Sequence, residues 1–540
     1  MNPNIILILC DDLGYGDVSS LNPNSKIQTK NIDQIFENGM SFNDTHTSSA
    51  VCTPSRYSLL TGRYNFRSSL KSGVNWGYSQ PLIENDRLTL PHILNSAGYF
   101  TAMVGKWHLG LDWKTTSGKY ISEGGPINET SVDPGIDFTA PIHGGPTQNG
   151  FDYFFGIPAS LDMAPYVYLE NDTAVAIPIN TDFEGYSANI DGLSITQDDT
   201  NQFEGRPGPV DDKMRPDKVL RDLSQKAVEV IDTKFSEETP AFLYLALTAP
   251  HTPVSPSKSF VGKSGTNDQY LDFVLEVDNV VGEIINAVER SDKYDDTLII
   301  FTSDNGPERF MHLRKKEIGH FSAAQFRGCK RDNWEGGHRV PFLAQWPKRI
   351  PPKQESNAMI SLVDIFATIT KITNQIYPET VAEDSYDFSS VLFDNSVDDF
   401  ERQYLIHHSA SGFFGIRNKK WKLLIHEGSG VKEEYKSTYS NEYGEKWTSS
   451  DYESIMDNDT SSKGPIQLYN LSSDEHEDKN LFVENPEIVE ELSNKFFEIL
   501  QNGRSTPGNN QSNFNNENSW PQVKETKENL SKIGINIVES

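Results

Sequence analysis

The chain alternates between short, continuous apolar runs and longer segments in which apolar residues recur at helical spacing. Continuous apolar runs are typical of buried strands in parallel sheets, and a period near 3.6 is typical of helices packed against them. This alternation predicts an α/β fold with a large, mostly parallel sheet sandwiched by helices. The predicted strands are residues 5–10, 100–104, 241–247, 297–302 and 341–345. The predicted helices are residues 32–37, 88–97, 219–235, 270–288 and 362–372.

The pattern changes after about residue 375, where short apolar segments follow one another at hairpin spacing. They predict a small antiparallel sheet with one amphipathic helix. Its strands are residues 404–407, 413–417 and 421–426, with 466–470 as a candidate fourth, and its helix is 487–500. Because 540 residues exceed one ordinary core, we divide the chain into a large domain, residues 1–390, and a smaller C-terminal α+β domain, residues 391–540.

Two segments lack clear periodicity. Residues 112–215 are rich in Gly, Pro, Asn and Asp, and we interpret them as long surface loops. Residues 505–520 are rich in Asn, Ser and Pro, and we interpret them as a polar tail segment.

Charge and cysteine content exclude some functions. With 77 acidic and 48 basic residues the formal net charge is −29, which argues against nucleic acid as a partner. Only Cys10, Cys52 and Cys329 are present, so there is no disulfide framework, and we expect Cys10 and Cys329 to be buried and free. The first apolar run is too short for a signal sequence or a membrane span. A trimmed exported protein and a cytoplasmic one both fit; we expect a periplasmic or secreted protein.

Polar residues cluster after four of the predicted strands. Open α/β sheets bind ligands in the crevice beyond the carboxyl ends of their strands, so distant clusters can converge on one site. Each cluster alone is more typical of a turn or helix cap, but together they favour a shared site. The clusters are Asp11 with Asp12, Lys106 with His108, His251, and Asp304 with Asn305.

The chemistry of these residues indicates a metal beside an anion. Asp11, Asp12, Asp304 and Asn305 offer hard oxygen ligands, which suit Ca²⁺ or Mg²⁺, and three neighbouring carboxylates require a cation to offset their repulsion. Positive charge and proton carriers come from Arg56, Lys106, His108, His251 and Lys330. Metal and cations together suit the binding and cleavage of a tetrahedral oxyanion ester.

Residues 52–63 read Cys-Thr-Pro-Ser-Arg-Tyr-Ser-Leu-Leu-Thr-Gly-Arg. Pro54 suits a first helical position and Gly62 a helix end, so Cys52 is predicted at a helix N-terminus, where negative charge is favoured. The plainer interpretation is a structural cysteine of low pKa. The complete twelve-residue run favours a chemical role.

This run resembles the signature of the type I sulfatases of the alkaline phosphatase superfamily, in which the cysteine is oxidised to formylglycine. The matching positions are Cys52, Pro54, Arg56, Thr61, Gly62 and Arg63. Further matches are Asp11-Asp12, the 105–110 run around Lys106 and His108, His251, Asp304-Asn305-Gly306, Lys330 and the 334–337 run. The resemblance covers roughly residues 4–425 and suggests a bacterial carbohydrate sulfatase.

The resemblance implies one Ca²⁺ per chain, with Mg²⁺ a weaker alternative, and a formylglycine in place of Cys52. It implies a metal site of Asp11, Asp12, residue 52, Asp304 and Asn305. A hydroxyl of the hydrated formylglycine, close to Arg56 and Lys106, would attack sulfur. Hydrolysis would then proceed in two easier steps instead of one difficult displacement. His251 would protonate the leaving alcohol, and His108 would take a proton as sulfate is released. Lys106, His251 and Lys330 would also bind the substrate.

The expected reaction is hydrolysis of a sulfate ester on a mono- or oligosaccharide derived from a polysaccharide, with exo action favoured by the acidic surface. A formylglycine-generating or anaerobic sulfatase-maturating enzyme is the implied partner. A phosphodiesterase or phosphonate monoester hydrolase of the same superfamily is the nearest alternative. A non-catalytic sulfoglycan-binding protein is another. A cysteine phosphatase is disfavoured, because Pro54 removes a phosphate-binding N–H and the metal ligands have no role.

Aromatic and basic loop residues are candidates for sugar subsites, although such residues are as often packing residues. The aromatic candidates are Tyr64, Phe66, Trp76, Trp113, Tyr153 and Phe413, and the basic candidates are Arg67, His143, Arg206 and Arg417. His407 and His408 end a predicted strand, and we interpret them as a strand terminus rather than a cover over the pocket.

Overall fold

A ten-stranded mixed sheet forms the centre of the computed structural model. The structure describes residues 2–124, 135–178, 208–394, 400, 402–432 and 464–535, and the backbone of two short strands at 189–190 and 193–194. The strands are β1 Asn4–Asp11, β2 Met40–His46, β3 Phe100–Lys106, β4 Tyr153–Ile157, β5 Leu169–Glu170, β6 Thr173–Ala174, β7 Asn189–Ile190, β8 Leu193–Ser194, β9 Ala241–Pro250, β10 Thr297–Ser303, β11 Phe342–Gln345, β12 Gln354–Ser361, β13 Leu405–His408, β14 Phe414–Arg417, β15 Trp421–Leu424 and β16 Gln467–Asn470.

Helices cover both faces of this sheet. They are α1 Lys30–Glu37, α2 Cys52–Thr61, α3 Leu90–Ser96, α4 Ile121–Gly124, α5 Pro216–Lys234, α6 Gln269–Arg290, α7 Met311–Ile318, α8 Glu335–His338, α9 Ile365–Ile372, α10 Ser389–Asp394, α11 Pro486–Gln501 and α12 Pro521–Lys532. The predicted helix at 362–372 begins with a 3₁₀ turn, Leu362–Asp364, before α9.

The strand order is β12-β2-β11-β10-β1-β9-β3-β4-β5-β6, and β10, β1, β9, β3 and β4 are parallel neighbours. Strand β1 has no exposed residue. Its alternate side chains enter two apolar cores: Ile5 and Leu7 pack on one face, and Ile6 and Ile8 pack on the other. A strand buried on both faces has no polar alternation, which is why it appears as a continuous apolar run. The predicted α/β architecture is confirmed.

The second sheet is antiparallel, in the order β13-β14-β15-β16, and it packs against α11. This confirms the predicted small sheet with its helix, including the candidate fourth strand. Its core also takes in Tyr64 and Phe66 from the segment after α2. The two sheets therefore share packed side chains, and the boundary at residue 390 stays a prediction.

Residues 112–215 contain more than surface loops, so that interpretation was wrong for part of the segment. Strand β4 joins the main sheet beside β3, and Trp113 and Tyr166 are buried. The strand has only five residues, too few for a clear period. The remainder of the segment, at 125–134 and 179–207, lies outside the described residues apart from the backbone of β7 and β8.

Other elements were also missed. Strands β2 and β12 contain polar residues such as Asn43, Asp44 and Glu355, so neither forms an apolar run. The predicted tail segment ends at Trp520, which is buried in the core of the small sheet, and α12 follows it. Among the described residues, no helix combines the length and apolar character needed to cross a membrane.

Candidate active site

Four parallel strands bring their carboxyl ends to one edge of the sheet. Asp11 ends β1 and Lys106 ends β3, while His251 and Asp304 directly follow β9 and β10. These four strands are adjacent in the sheet, so residues distant in sequence become neighbours. All four side chains are buried, with His251 the most exposed at 6%. The structure thus brings the predicted clusters into one crevice, as the strand-end argument expects.

Cys52 is the first residue of α2, next to this crevice. Val51 before it is extended, and the helix ends at Gly62 in the left-handed conformation with φ 65°. Pro54 is the third residue of the helix rather than the first. The Thr53 hydroxyl donates to the His108 carbonyl at 3.0 Å, which ties the helix start to the Lys106–His108 segment.

Cys52 is not a low-pKa cysteine, contrary to the plainer interpretation. Burial raises the pKa of its thiol to about 12, which outweighs the opposite effect of Lys106 and Lys330. The thiol is therefore protonated at neutral pH. A thiolate nucleophile of the cysteine phosphatase type does not fit this environment.

Each carboxylate of the site has a cationic partner. Lys106 Nζ lies 2.6 Å from Asp11 Oδ2, and Lys330 Nζ lies 2.7 Å from Asp12 Oδ2. Arg56 donates through Nε and Nη2 to Asp304 Oδ2, at 3.0 and 2.8 Å.

The carboxylates still affect one another. Burial and then the neighbouring Asp11 raise the pKa of Asp304 above its usual range, even with Arg56 in contact. Burial also opposes ionisation of Asp11, but Lys106 and His251 lower its pKa well below the usual range. One carboxylate of this group thus lacks sufficient positive charge, which a bound cation would supply.

The site fits a hard metal ion. Ligand atoms of Asp11, Asp12, Cys52 and His251 lie within 4.8 Å of one another, and the predicted ligand Asp304 is not part of this group. Asp11 Oδ1 and Asn305 Oδ1 are buried oxygens without a hydrogen-bond partner in the described structure. Buried acceptors of this kind are costly unless a ligand satisfies them. Oxygen donors of this kind suit Ca²⁺ or Mg²⁺.

In His108 and His251, one ring nitrogen contacts a backbone carbonyl, which leaves the other nitrogen available. His108 Nε2 lies 2.8 Å from the Asn75 carbonyl, so it carries the proton and leaves Nδ1 as a buried acceptor without a partner in the described structure. Burial, then Lys106 and Arg56, hold the pKa of His108 well below its usual range. His251 directs Nδ1 to the Thr252 carbonyl, which leaves Nε2 facing Asp12 Oδ2 at 3.6 Å.

Several supporting residues were missed because nothing in the sequence marks them. Ser160 Oγ lies 3.3 Å from both Lys106 Nζ and His251 Nδ1, within the segment interpreted as surface loops. The Tyr270 hydroxyl lies 3.2 Å from the Asp12 carbonyl and 2.6 Å from Asp17 Oδ2. Asp12 has φ 64°, so Tyr270 contacts the backbone where Asp12 adopts an uncommon conformation.

Most of the candidate sugar-subsite residues are packing residues. Buried side chains, at most 5% exposed, are found at Tyr64, Phe66, Arg67, Trp113, Phe413 and Arg417. Trp76 and Tyr153 are half-buried and His143 is exposed, so these three retain accessible surface. Arg206 lies outside the described residues.

His407 and His408 are buried at the end of β13, in agreement with their interpretation as a strand terminus. His407 stacks on His338, with ring centroids 3.8 Å apart. His338 also forms a compact group with His46 and Glu335, but Glu335 already contacts Arg339, Arg417 and Lys422. These cations occupy the carboxylate, so the group is an ion-pair network rather than a second metal site.

Comparisons with known proteins give a matching family model, similar curated proteins and a similar solved structure. The family model described as Sulfatase matches residues 3–375. An N-acetylgalactosamine-6-O-sulfatase of Bacteroides thetaiotaomicron is 32% identical over 519 residues, which cover 91% of this chain and 92% of that protein. Arylsulfatase G of Rattus norvegicus is 32% identical over 443 residues, covering 79% of this chain and 76% of that protein. A solved structure, described as a 6S-sulf from the metabolism of multiple glycosaminoglycans by Bacteroides thetaiotaomicron, has a TM-score of 0.72 at 28% identity, covering 92% and 99% of the two chains.

Proposed function

Because the chain belongs to the sulfatase family and is a sulfuric ester hydrolase, we propose that it removes sulfate from a sulfated mono- or oligosaccharide. The observation that carries this proposal is the buried juxtaposition of Cys52 with two carboxylates, two lysines and His251 at one sheet edge. Anion-binding cations beside a metal-ligand set suit a sulfate ester. The N-acetylgalactosamine-6-O-sulfatase, similar over nearly its whole length, supports a sugar as the carrier of the ester.

The proposal includes one Ca²⁺ and a formylglycine made from Cys52. Asp11, Asp12, Asp304, Asn305 and residue 52 would hold the ion. Bound Ca²⁺ supplies positive charge beside the sulfate, and the hydrated formylglycine supplies the attacking hydroxyl group. The two unpartnered oxygens of Asp11 and Asn305 support this ligand set.

The other side chains of the site bind sulfate, transfer protons or position a metal ligand. Lys106 and Lys330, whose pKa values are raised by Asp11 and Asp12 despite burial, remain charged and bind sulfate oxygens. His251 protonates the leaving alcohol from Nε2. His108 accepts a proton at Nδ1, the nitrogen that its bond to Asn75 leaves free. Arg56 holds Asp304 in place with two hydrogen bonds.

Burial of the site favours exo action. Cys52 is 2% exposed and Lys106 is fully buried, so the sulfate must enter a crevice rather than lie on an open surface. A chain end enters such a crevice more easily than the middle of a polyanion, which the net charge of −29 also repels. Activity confined to internal sulfates of a polymer would contradict this part of the proposal.

Maturation and location complete the proposal. A formylglycine-generating or anaerobic sulfatase-maturating enzyme would oxidise Cys52. Because Cys52 is buried in the folded chain, this enzyme would have to act before folding is complete. A periplasmic or extracellular location suits an enzyme that acts on polysaccharide fragments.

The test is sulfate release by the wild type and by Cys52→Ala on a panel of sulfated saccharides, led by 6-sulfated N-acetylgalactosamine. The variant is expected to lose multiple turnover, by at least about 10⁴-fold, because it removes the covalent step. The control is Cys10→Ala, which removes a buried thiol from the core of the sheet and is expected to retain activity within a few-fold. Retained turnover in Cys52→Ala would refute the proposed chemistry, and a wild type active only on phosphodiesters would refute the proposed substrate.

A further inference from the structure

A second cleft lies outside the catalytic residues. Its walls are residues 21–26, residues 311–315 of α7, residues 319–328 and the 476–478 segment of the C-terminal region, and its volume is about 1150 Å³. Ligand pockets for small molecules are usually about 300–1,000 Å³. The space is therefore sufficient for several sugar units.

Among the residues that line the cleft, cations outnumber carboxylates, although the protein as a whole is strongly acidic. Lys26, Lys315 and Arg327 contribute to its walls, and the one carboxylate among the lining residues is Asp478. Asp478 Oδ1 is paired with His476 Nδ1 at 2.7 Å. In a chain with 77 acidic and 48 basic residues, such a local excess of cations favours an anionic ligand.

An exposed aromatic ring lies beside this charge. Phe321 is 37% exposed, and Lys315 Nζ lies 4.4 Å from its ring centroid. Ligand sites commonly combine aromatic surface with a few placed polar groups. Because Lys315 Nζ lies over the ring, a sugar would pack its apolar face on the part of Phe321 that stays exposed, while its acidic substituent meets the lysine.

The cleft adjoins the catalytic crevice along the chain. Gly328 in its wall lies two residues before Lys330, and the wall segment at Ser322 accepts a hydrogen bond from Gly16 N–H at 2.7 Å. Gly16 belongs to the loop that follows Asp12. A glycan bound in the cleft would therefore be held next to the loops that form the active site.

We propose that this cleft is a second binding site for a sulfated or carboxylated oligosaccharide, separate from the pocket that holds the ester to be hydrolysed. The choice of a saccharide rests on the proposed function. The cleft itself rests on its volume, its cations and Phe321. Its role is to retain a glycan chain near the active site between catalytic events.

The test measures binding of a 6-sulfated, N-acetylgalactosamine-containing hexasaccharide by calorimetry. The protein is the full chain with Cys52→Ala, so that the ligand is not consumed, and excess monosaccharide 6-sulfate blocks the catalytic pocket. The double variant Lys26→Glu/Lys315→Glu is expected to weaken binding at least 10-fold, and Phe321→Ala about 3- to 10-fold. The matched control Lys218→Glu/Lys263→Glu makes the same charge change at exposed residues outside the cleft, and it is expected to stay within twofold.

Activity assays complement the binding measurement, because neither lysine belongs to the catalytic site. With Cys52 restored, the double variant is expected to turn over a small aryl sulfate normally, while the KM for the hexasaccharide rises and kcat is unchanged. Hexasaccharide binding unchanged by the cleft substitutions, or weakened equally by the control pair, would overturn the inference. Equally tight binding of a nucleic acid of matched charge would overturn the choice of a saccharide.

Failure of this inference and failure of the proposed function give different results. If no sulfated glycan releases sulfate but cleft-dependent hexasaccharide binding persists, the proposed function fails and the cleft site stands. If sulfate is released from glycans but the cleft substitutions change neither binding nor KM, the cleft site fails and the proposed function stands.

Discussion

Two buried charge clusters in this protein have the same formal composition but differ in the pairing of their carboxylate oxygens. The cluster at the proposed active site, called the catalytic cluster below, contains Asp11, Asp12 and Asp304 with Arg56, Lys106 and Lys330. The inter-sheet cluster, between the large and small sheets, contains Asp44, Glu335 and Glu477 with Arg339, Arg417 and Lys422. Each combines three carboxylates with three permanent cations, so net charge alone does not distinguish them.

Glu335 and Asp11 differ in how completely their carboxylate oxygens are paired. In the inter-sheet cluster, Glu335 directs Oε1 to Lys422 and Oε2 to Arg339 and Arg417. In the catalytic cluster, Asp11 Oδ1 has no hydrogen-bond partner among the described residues, and Arg56 Nη2 lies 3.7 Å from it. Glu335 therefore has both carboxylate oxygens paired, whereas Asp11 keeps one oxygen available for a ligand.

The pKa values of Glu335 and Asp304 differ in the same way, although burial also raises the pKa of Glu477 in the inter-sheet cluster. Burial disfavours the charge on Glu335, but Lys422, Arg417 and Arg339 hold its pKa well below the usual range. Burial and the neighbouring Asp11 raise the pKa of Asp304. Glu335 is thus held in its charged form by the surrounding cations, whereas a cation bound next to Asp304 would offset the charge of Asp11.

The largest expected effect separates stability from activity. Glu335→Gln leaves three buried cations without their shared carboxylate, and it is expected to lower the free energy of unfolding by about 3–5 kcal/mol. Denaturant unfolding measures this change. At low temperature the folded variant is expected to keep kcat within a few-fold, because Glu335 contacts no catalytic residue described above.

The matched control is Glu229→Gln, which removes an exposed partner of Lys226. It is expected to change stability by no more than about 0.5 kcal/mol. A Glu335→Gln variant as stable as this control would show that the inter-sheet cluster is not a stabilising device.

The next effect concerns pH and Ca²⁺. The pKa of Asp304 in the folded state is raised above the ordinary value of 3.8. The metal-free protein is therefore expected to lose stability as pH rises from 3.8 through the folded-state pKa. Ca²⁺ binding requires the ionised carboxylate, so its stabilisation is expected to grow over the same range. At about 100 times its Kd, Ca²⁺ is expected to stabilise by about 2.7 kcal/mol at pH 8, and by less at pH 5.

Thermal unfolding at both pH values, with Ca²⁺ or with a chelator, measures this dependence. Mg²⁺ at equal concentration is the control and is expected to stabilise less, because it demands a stricter geometry. Equal stabilisation by Ca²⁺ at pH 5 and pH 8 would contradict the assignment of Asp304 to the metal site.

The smallest expected effect tests how the catalytic cluster is positioned. Tyr270→Phe removes the hydroxyl that contacts the Asp12 carbonyl and Asp17, and it is expected to weaken Ca²⁺ binding about 5-fold, near 1 kcal/mol. Calorimetric titration measures the affinity. Tyr168→Phe, which removes a hydroxyl bonded to Asp222 at 2.8 Å, is expected to leave it unchanged. Equal affinities in the two variants would assign Tyr270 a structural role only.

Prediction from sequence succeeded where burial leaves a pattern. Strand β1 is buried on both faces and therefore appears as an apolar run, whereas β2 and β12 carry polar residues and were missed. Candidate site residues were found because their strands end together at one edge. Ser160 and Tyr270 were not found, because a lone hydroxyl in a loop or a helix has no distinguishing pattern.

The sequence by itself determined the α/β class, the small antiparallel sheet and the family, since these depend on periodicity and on the complete motif from Cys52 to Arg63. Only the tertiary structure decided which cation pairs with which carboxylate, which oxygens of Asp11 and Asn305 remain available, and that Cys52 is buried where burial raises the pKa of its thiol. Those properties depend on distance and burial, and residues brought together from positions 11, 52, 106, 251, 305 and 330 acquire them only when the chain folds.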